Sequence, residues 1–103
     1  MDYKKMLKEI KNELANHIVV TRVYLFGSRA RGVFHTDSDY DIAVLSPDFE
    51  KMSFDDRDDL VRPLIRKVLG YVPLDIACYT TDEYERGRVG FLPQTIEEEG
   101  IAV

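Results

Sequence analysis

Cysteine is almost missing: Cys78 stands alone among 103 residues, so no internal disulfide can form and a reducing compartment fits. Positive charge is in deficit, with 14 Lys and Arg against 19 Asp and Glu and a formal net charge of −5. Coating nucleic acid requires a cationic face, so direct binding of a nucleic-acid polymer is not expected. A small anionic ligand delivered with a metal ion is still allowed. Long apolar runs are absent too, since no uncharged stretch approaches the roughly 18 residues of a membrane span. The N-terminus is charged from Asp2 to Lys5 with no apolar signal segment behind it, so a cytoplasmic location is expected. Repeats, low-complexity tracts and linkers are also lacking. A chain of 103 residues has room for one core and not two, which predicts a single domain over residues 1–103. Its 45% apolar and 32% charged residues suit a folded globule rather than a disordered chain.

The hydrophobic pattern alternates between helical and extended periods. Met6, Leu7, Ile10 and Leu14 recur at helical spacing and predict an amphipathic helix over residues 2–16. The β-branched and aromatic stretch from Ile18 to Phe26 predicts a strand, stopped by Gly27. A second strand runs from Tyr40 to Leu45 and ends at Ser46-Pro47. Ser53 is placed to cap a helix reaching Leu69, with Leu60, Val61, Leu64, Ile65, Val68 and Leu69 as its buried stripe and Gly70 as its stop. Pro63 interrupts that pattern and predicts a kink or a late start. Val72 to Tyr79 reads as a third strand, followed by a short helix capped by Thr80 or Thr81 and running to Arg86. Thr95–Glu99 reads as a helical turn and Ile101–Val103 as a short edge strand. The expected fold class is α/β in the α+β sense, a mixed sheet of about four strands packed with helices.

Chemistry concentrates between Gly27 and Asp41. Alternate side chains of a strand share a face, so Asp39 and Asp41 would stand together with Tyr40 on the reverse. Two carboxylates aimed the same way repel unless a cation lies between them, and such hard oxygen ligands suit Mg²⁺ or Mn²⁺. An Asp-x-Asp pair is by itself weak evidence. Its position at the head of an apolar strand is what raises it. The further acids from Asp55 to Asp59 read as a solvated first turn of a helix. Gly27 permits a tight turn and lets a phosphate approach the backbone, and a short helix from Ser28 would aim free N–H groups at it. Arg29 and Arg31 supply charged donors but are two apart and cannot both point inward. The two glycines have P-loop spacing, yet Val33-Phe34 stands where Lys-Ser/Thr is required, so a P-loop is rejected. Asp75 is the one charged residue in its apolar strand and is the candidate third acid, with a strand-end acid paired to an arginine as the plain alternative.

The run Gly27-Ser28-Arg29-Ala30-Arg31-Gly32, its six-residue spacer and the Asp39-Tyr40-Asp41 block after it resemble the signature of the minimal nucleotidyltransferases, in the DNA-polymerase-beta-like superfamily. The resemblance runs from the first helix to about Tyr79. It implies that Gly27 and Ser28 bind a triphosphate, with Arg29 and Arg31 near the phosphates. It implies that Asp39 and Asp41 bridge two Mg²⁺ ions, or Mn²⁺, and that Asp75 holds the catalytic metal and helps activate the attacking hydroxyl. The implied reaction is transfer of AMP from ATP to a hydroxyl. Stand-alone members resemble the antitoxin half of toxin–antitoxin pairs, whose HEPN-type helical toxin is adenylylated on a tyrosine. A contact-only antitoxin and an enzyme acting on a small molecule such as an aminoglycoside are the alternatives.

Other notable side chains have plainer readings. His17 is expected at the surface, His35 reads as a spacer residue rather than a ligand contact, and Cys78 is expected in the core. Tyr3, Tyr24, Tyr40 and Tyr79 read as packing, and Phe91, Leu92 and Ile96 as core or a partner-facing patch.

Overall fold

The computed structural model describes residues 2–32, 39–87 and 100–103. Asp2 opens the first helix, α1 (Tyr3–Ala15), by accepting a hydrogen bond from the Lys5 amide at 3.0 Å. Leu7, Ile10 and Leu14 are its buried stripe, as the spacing predicts, while Met6 is half-buried. Strand β1 (Arg22–Phe26) is shorter than the predicted span from Ile18. The stretch before it is spent crossing from α1 to the sheet, and the ladder hydrogen bonds begin where Thr21 donates to the Leu45 carbonyl at 2.8 Å.

Helix α2 (Gly27–Arg31) follows β1 without a loop, and strand β2 (Tyr40–Leu45) has the predicted bounds. Ser46 ends β2 and caps a 3-10 turn, Pro47–Lys51. Ser53 caps α3 (Phe54–Leu69) through the Asp56 amide at 3.1 Å. Pro63 lies inside α3, which starts at Phe54, so the expected late start does not occur. Val61, Leu64 and Ile65 are buried, whereas Leu60, Val68 and Leu69 are half-buried at the edge of the stripe. Strand β3 (Leu74–Tyr79) begins two residues later than predicted. Helix α4 (Thr81–Glu85) is fixed by a capping box between Thr80 and Glu83, and β4 (Ile101–Ala102) is a two-residue strand. The helical turn predicted over Thr95–Glu99, and with it His35, Ser38, Phe91, Leu92 and Ile96, lies outside the described residues.

The sheet order is β3-β2-β1-β4. Strand β1 pairs antiparallel with β2 and β4, and β2 pairs parallel with β3, so the sheet is mixed. One face carries Val23, Leu25, Ile42 and Val44 into a core with Leu7, Ile10 and Leu14 of α1 and Val61 and Ile65 of α3, all fully buried. Truncating one such residue, Ile42→Ala, removes packing worth about 2–5 kcal/mol. The other face carries Tyr24, Ala43, Leu45 and Tyr79 and packs with Tyr84 of α4, whose ring stacks on Tyr24 at 5.7 Å between centroids. Strand alternation therefore sends Asp41 and Asp75 to this second face, away from α1 and α3. No helix among the described residues is long and apolar enough to cross a membrane.

Candidate active site

Two registers bring the site residues together. Phe26 pairs with Asp41 across β1 and β2, and Asp41 pairs with Asp75 across β2 and β3. Neighbouring strands lie about 4.8 Å apart, so the two carboxylates are adjacent on one face. Asp39 precedes β2 by one residue, shares the parity of Asp41 and is exposed. Tyr40 turns the opposite way into the core, as expected.

Gly27 joins this pair to the turn. Its φ of +73° is a conformation that side chains disfavour, and a Cβ there would lie 3.0 Å from Cγ of Asp41 and collide with Oδ2. The turn thus abuts the Asp41 carboxylate closely because residue 27 has no side chain. Ser28 is half-buried in the first turn of α2, and Gly32 closes that helix in the left-handed conformation.

The two arginines separate. Arg29 is buried, with its guanidinium 3.9 Å above the Tyr40 ring centroid, while Arg31 is exposed. The expectation that both could not face one way is met, and the structure makes Arg31 the solvent-facing member. The positive charge of Arg31 also reaches Asp41. That effect is outweighed: burial first, then the charges of Asp75 and Asp39, raise the Asp41 carboxyl above its ordinary range. Three acids resist sharing this space without a counter-charge.

Among the described residues, no three His, Cys, Asp or Glu side chains form a ready-made metal cage. Mg²⁺ does not require one, because it is usually held by one or two carboxylates together with substrate phosphates. Asp41 and Asp75, with Asp39 beside them, supply hard oxygen donors of the right kind and charge.

Asp75 also lines a cleft of about 630 Å³ shared by β3, the outermost strand on that side among the described residues, and the first turns of α3. Phe26, Phe54 and Tyr79 form its aromatic walls, and Asp55, Asp58 and Asp59 face it. The acids expected to be only a solvated helix turn therefore border the site. The signal available in the sequence was Phe54, a large apolar residue beside an N-cap, which is 58% exposed. None of the ion pairs among the described residues includes Asp75, although its charge adds to the field that raises the Arg62 guanidinium.

Arg57 is a structural residue that the sequence reading missed. It is 3% exposed and fastens three elements, donating to the carbonyls of Met52 and Cys78 at 3.1 Å each and to both carboxylate oxygens of Glu83 at 2.7 and 3.2 Å. This pairing holds the Glu83 carboxyl below its usual range, with the Thr80 hydrogen bonds adding to the effect against burial. Cys78 and the four tyrosines are placed as expected, with Cys78, Tyr24, Tyr40 and Tyr79 buried and Tyr3 partly buried against the core. His17 is exposed beyond the end of α1.

Comparison with known proteins agrees with this fold. The model of the nucleotidyltransferase domain family matches residues 4–103. A structure assigned as a minimal nucleotidyltransferase is 30% identical, with a TM-score of 0.64, covering 96% of this chain and 90% of its own. A toxin–antitoxin solved with AMP-PNP is 27% identical at a TM-score of 0.68, over 93% of this chain and 70% of that one. A mutant of the toxin–antitoxin MntA-HpeT is 25% identical at a TM-score of 0.65, over 100% of this chain and 72% of that one. No curated protein matches the chain.

Proposed function

Because the chain belongs to the nucleotidyltransferase domain family, we propose that it transfers AMP from ATP to a hydroxyl of a partner protein, a tyrosine of a HEPN-type toxin, and thereby acts as an antitoxin. The observation that carries this reading is the junction of Gly27 with Asp41, itself in register with Asp75. It sets the glycine turn directly against a carboxylate pair.

In this reading the Gly27-Ser28 backbone and the Ser28 hydroxyl hold the triphosphate, and Arg31 contributes charge from the solvent side. Arg29, packed on Tyr40, holds the turn from beneath. Asp39, Asp41 and Asp75 would hold Mg²⁺, or Mn²⁺ in its place. When bound, the metal neutralises charge on the phosphates and aligns them. The acceptor oxygen forms a bond to the α-phosphorus, and the bond from that phosphorus to the bridging oxygen breaks. Pyrophosphate leaves with the electron pair, and the hydroxyl proton passes to the Asp75 carboxylate or to water. No protein nucleophile is needed, so the work of the chain is positioning and charge.

A toxin as acceptor is supported by the toxin–antitoxin neighbours, one of them with AMP-PNP. The decisive experiment incubates the chain, Mg²⁺ and ATP with the product of the adjacent gene and weighs that product by intact mass spectrometry. AMP increments are expected and should vanish in Asp39→Asn, while Asp75→Asn should bind ATP but transfer poorly. A partner inhibited without mass change, and equally by Asp39→Asn, would establish a contact-only antitoxin. AMP found only on an aminoglycoside would establish a small-molecule enzyme.

A further inference from the structure

The cleft beside Asp75 has a direction. Across the sheet the order is the Gly27 turn at the end of β1, Asp41 on β2 and Asp75 on β3, and the cleft runs from Phe26, beside that turn, past Asp75 to the first turns of α3 at the outer edge of β3 among the described strands. In a phosphoryl-type displacement the entering and leaving oxygens stand roughly in line. With pyrophosphate leaving toward the turn on β1, the hydroxyl must arrive from the side of β3. Among the described residues the α3 end of the cleft, with Asp55 and Asp59, occupies that side.

Its lining limits what can arrive. Asp55, Asp59 and Asp75 face it, with Asp58 bound at 2.9 Å to Arg62, and no Lys or Arg is among the residues that line it. A polyanion such as RNA would be repelled there. Phe26, Phe54 and Tyr79 offer flat apolar walls, the last two in edge contact at 6.2 Å between centroids.

The strand edge adds a third constraint. The carbonyls of Pro73 and Tyr79 accept hydrogen bonds from Tyr40 and Ser46 on the β2 side. The alternate carbonyls, Leu74 and Cys78, point outward and are taken by Arg62 at 3.0 Å and Arg57 at 3.1 Å. Ile76 shares the parity of that outward set and lines the cleft, so its N–H and C=O face the cavity between two arginine-capped carbonyls. With its neighbours capped, the Ile76 N–H and C=O are left to pair with a peptide group of an arriving polypeptide chain.

We infer that this cleft is the acceptor subsite, built for an extended basic segment of a partner protein that presents an aromatic hydroxyl toward Asp75. The inference rests on the transferase reading and names the chemistry of its acceptor. The test uses the whole chain and fluorescein-labelled peptides with a central tyrosine, flanked either by lysine and arginine or by glutamate, read by anisotropy in the presence of Mg²⁺ and a non-hydrolysable ATP analogue. The basic peptide is expected to bind at least about tenfold more tightly than the acidic one, through complementary charge. The double variant Asp55→Asn, Asp59→Asn should weaken it at least about fivefold with no change in ATP affinity or thermal midpoint. The Ile76 amide should shift in NMR spectra and become protected from exchange.

Equal binding of the two peptides, an unaltered affinity in the double variant, or displacement by a single-stranded oligonucleotide would overturn the inference. So would an aminoglycoside that binds more tightly than the peptide and is itself labelled. A chain that captures the basic peptide but not Mg²⁺–ATP would instead refute the transferase reading. A chain that binds Mg²⁺–ATP and moves AMP to an acidic or nucleic-acid acceptor would refute only the cleft.

Discussion

Replacing Gly27 with alanine is the sharpest test of how the turn meets the carboxylates. Two costs can be worked out separately. At a φ of +73° an alanine sits in left-handed backbone, which costs an L-residue about 1–2 kcal/mol. The new Cβ would also meet Asp41, with Cγ at 3.0 Å and Oδ2 in collision. Strand β2 is held on both sides by β1 and β3, so relief must come from rotating the carboxylate off its rotamer, at about 0.5–1.5 kcal/mol. The sum is about 1.5–3.5 kcal/mol, and for a domain of this size each kcal/mol lowers Tm by about 4–8 °C. Gly32→Ala is the control, because its φ is +77° but nothing among the described residues lies within 4 Å of the new Cβ. It should carry only the backbone cost. Thermal unfolding of Gly27→Ala, Gly32→Ala, Asp41→Ala and the Gly27→Ala, Asp41→Ala pair isolates the contact, since removing the carboxylate should return about 1 kcal/mol to Gly27→Ala. Calorimetric titration should show ATP affinity falling at least about tenfold in Gly27→Ala, close to 1.4 kcal/mol. Equal losses for the two glycines, with no coupling to Asp41, would refute the close approach on which the proposed phosphate site depends.

Other outcomes follow from the same contacts. Glu83→Gln leaves the buried Arg57 with a weaker partner and should cost about 1–3 kcal/mol, measured by urea unfolding at pH 7. The folded-state Glu83 carboxyl is depressed, so its contribution is present above the unfolded value and is lost as pH falls through the folded value; Glu83→Gln should flatten this acid-side loss in a pH series of unfolding curves. Arg29→Ala should destabilise by about 1–3 kcal/mol through lost packing on Tyr40, whereas Arg31→Ala should stay within about 0.5 kcal/mol and weaken ATP binding; equal Tm losses for the two would contradict their different burial. The Cys78 thiol, pushed up to about 12 chiefly by burial, should resist a thiol reagent at pH 8 in the native chain and react promptly in denaturant.

Local rules were enough for much of this molecule. The stripe of Leu7, Ile10 and Leu14, the bounds of β2, the Ser53 cap and the stop at Gly70 depend on periodicity and capping, which neighbouring residues determine. The parity that separates Tyr40 from Asp41 is equally local. Tertiary structure decided what depends on partners far along the chain. Strand β1 shortened because ladder hydrogen bonds begin only at Thr21, and nothing before it signals that limit. Pro63 did not delay α3, because the helix gains enough from Val61, Leu64 and Ile65 in the core to absorb one missing hydrogen bond. Arg29 and Arg31, alike in sequence, parted because only one of them lay over Tyr40. Most of all, the registers of β2 with β1 and β3 set Asp75, 34 positions after Asp41, beside it, and the first turns of α3 came to line a cleft with β3. The identity of the acids was written locally, but their convergence and the cleft beyond them come from strand pairing, which no single stretch of the chain contains.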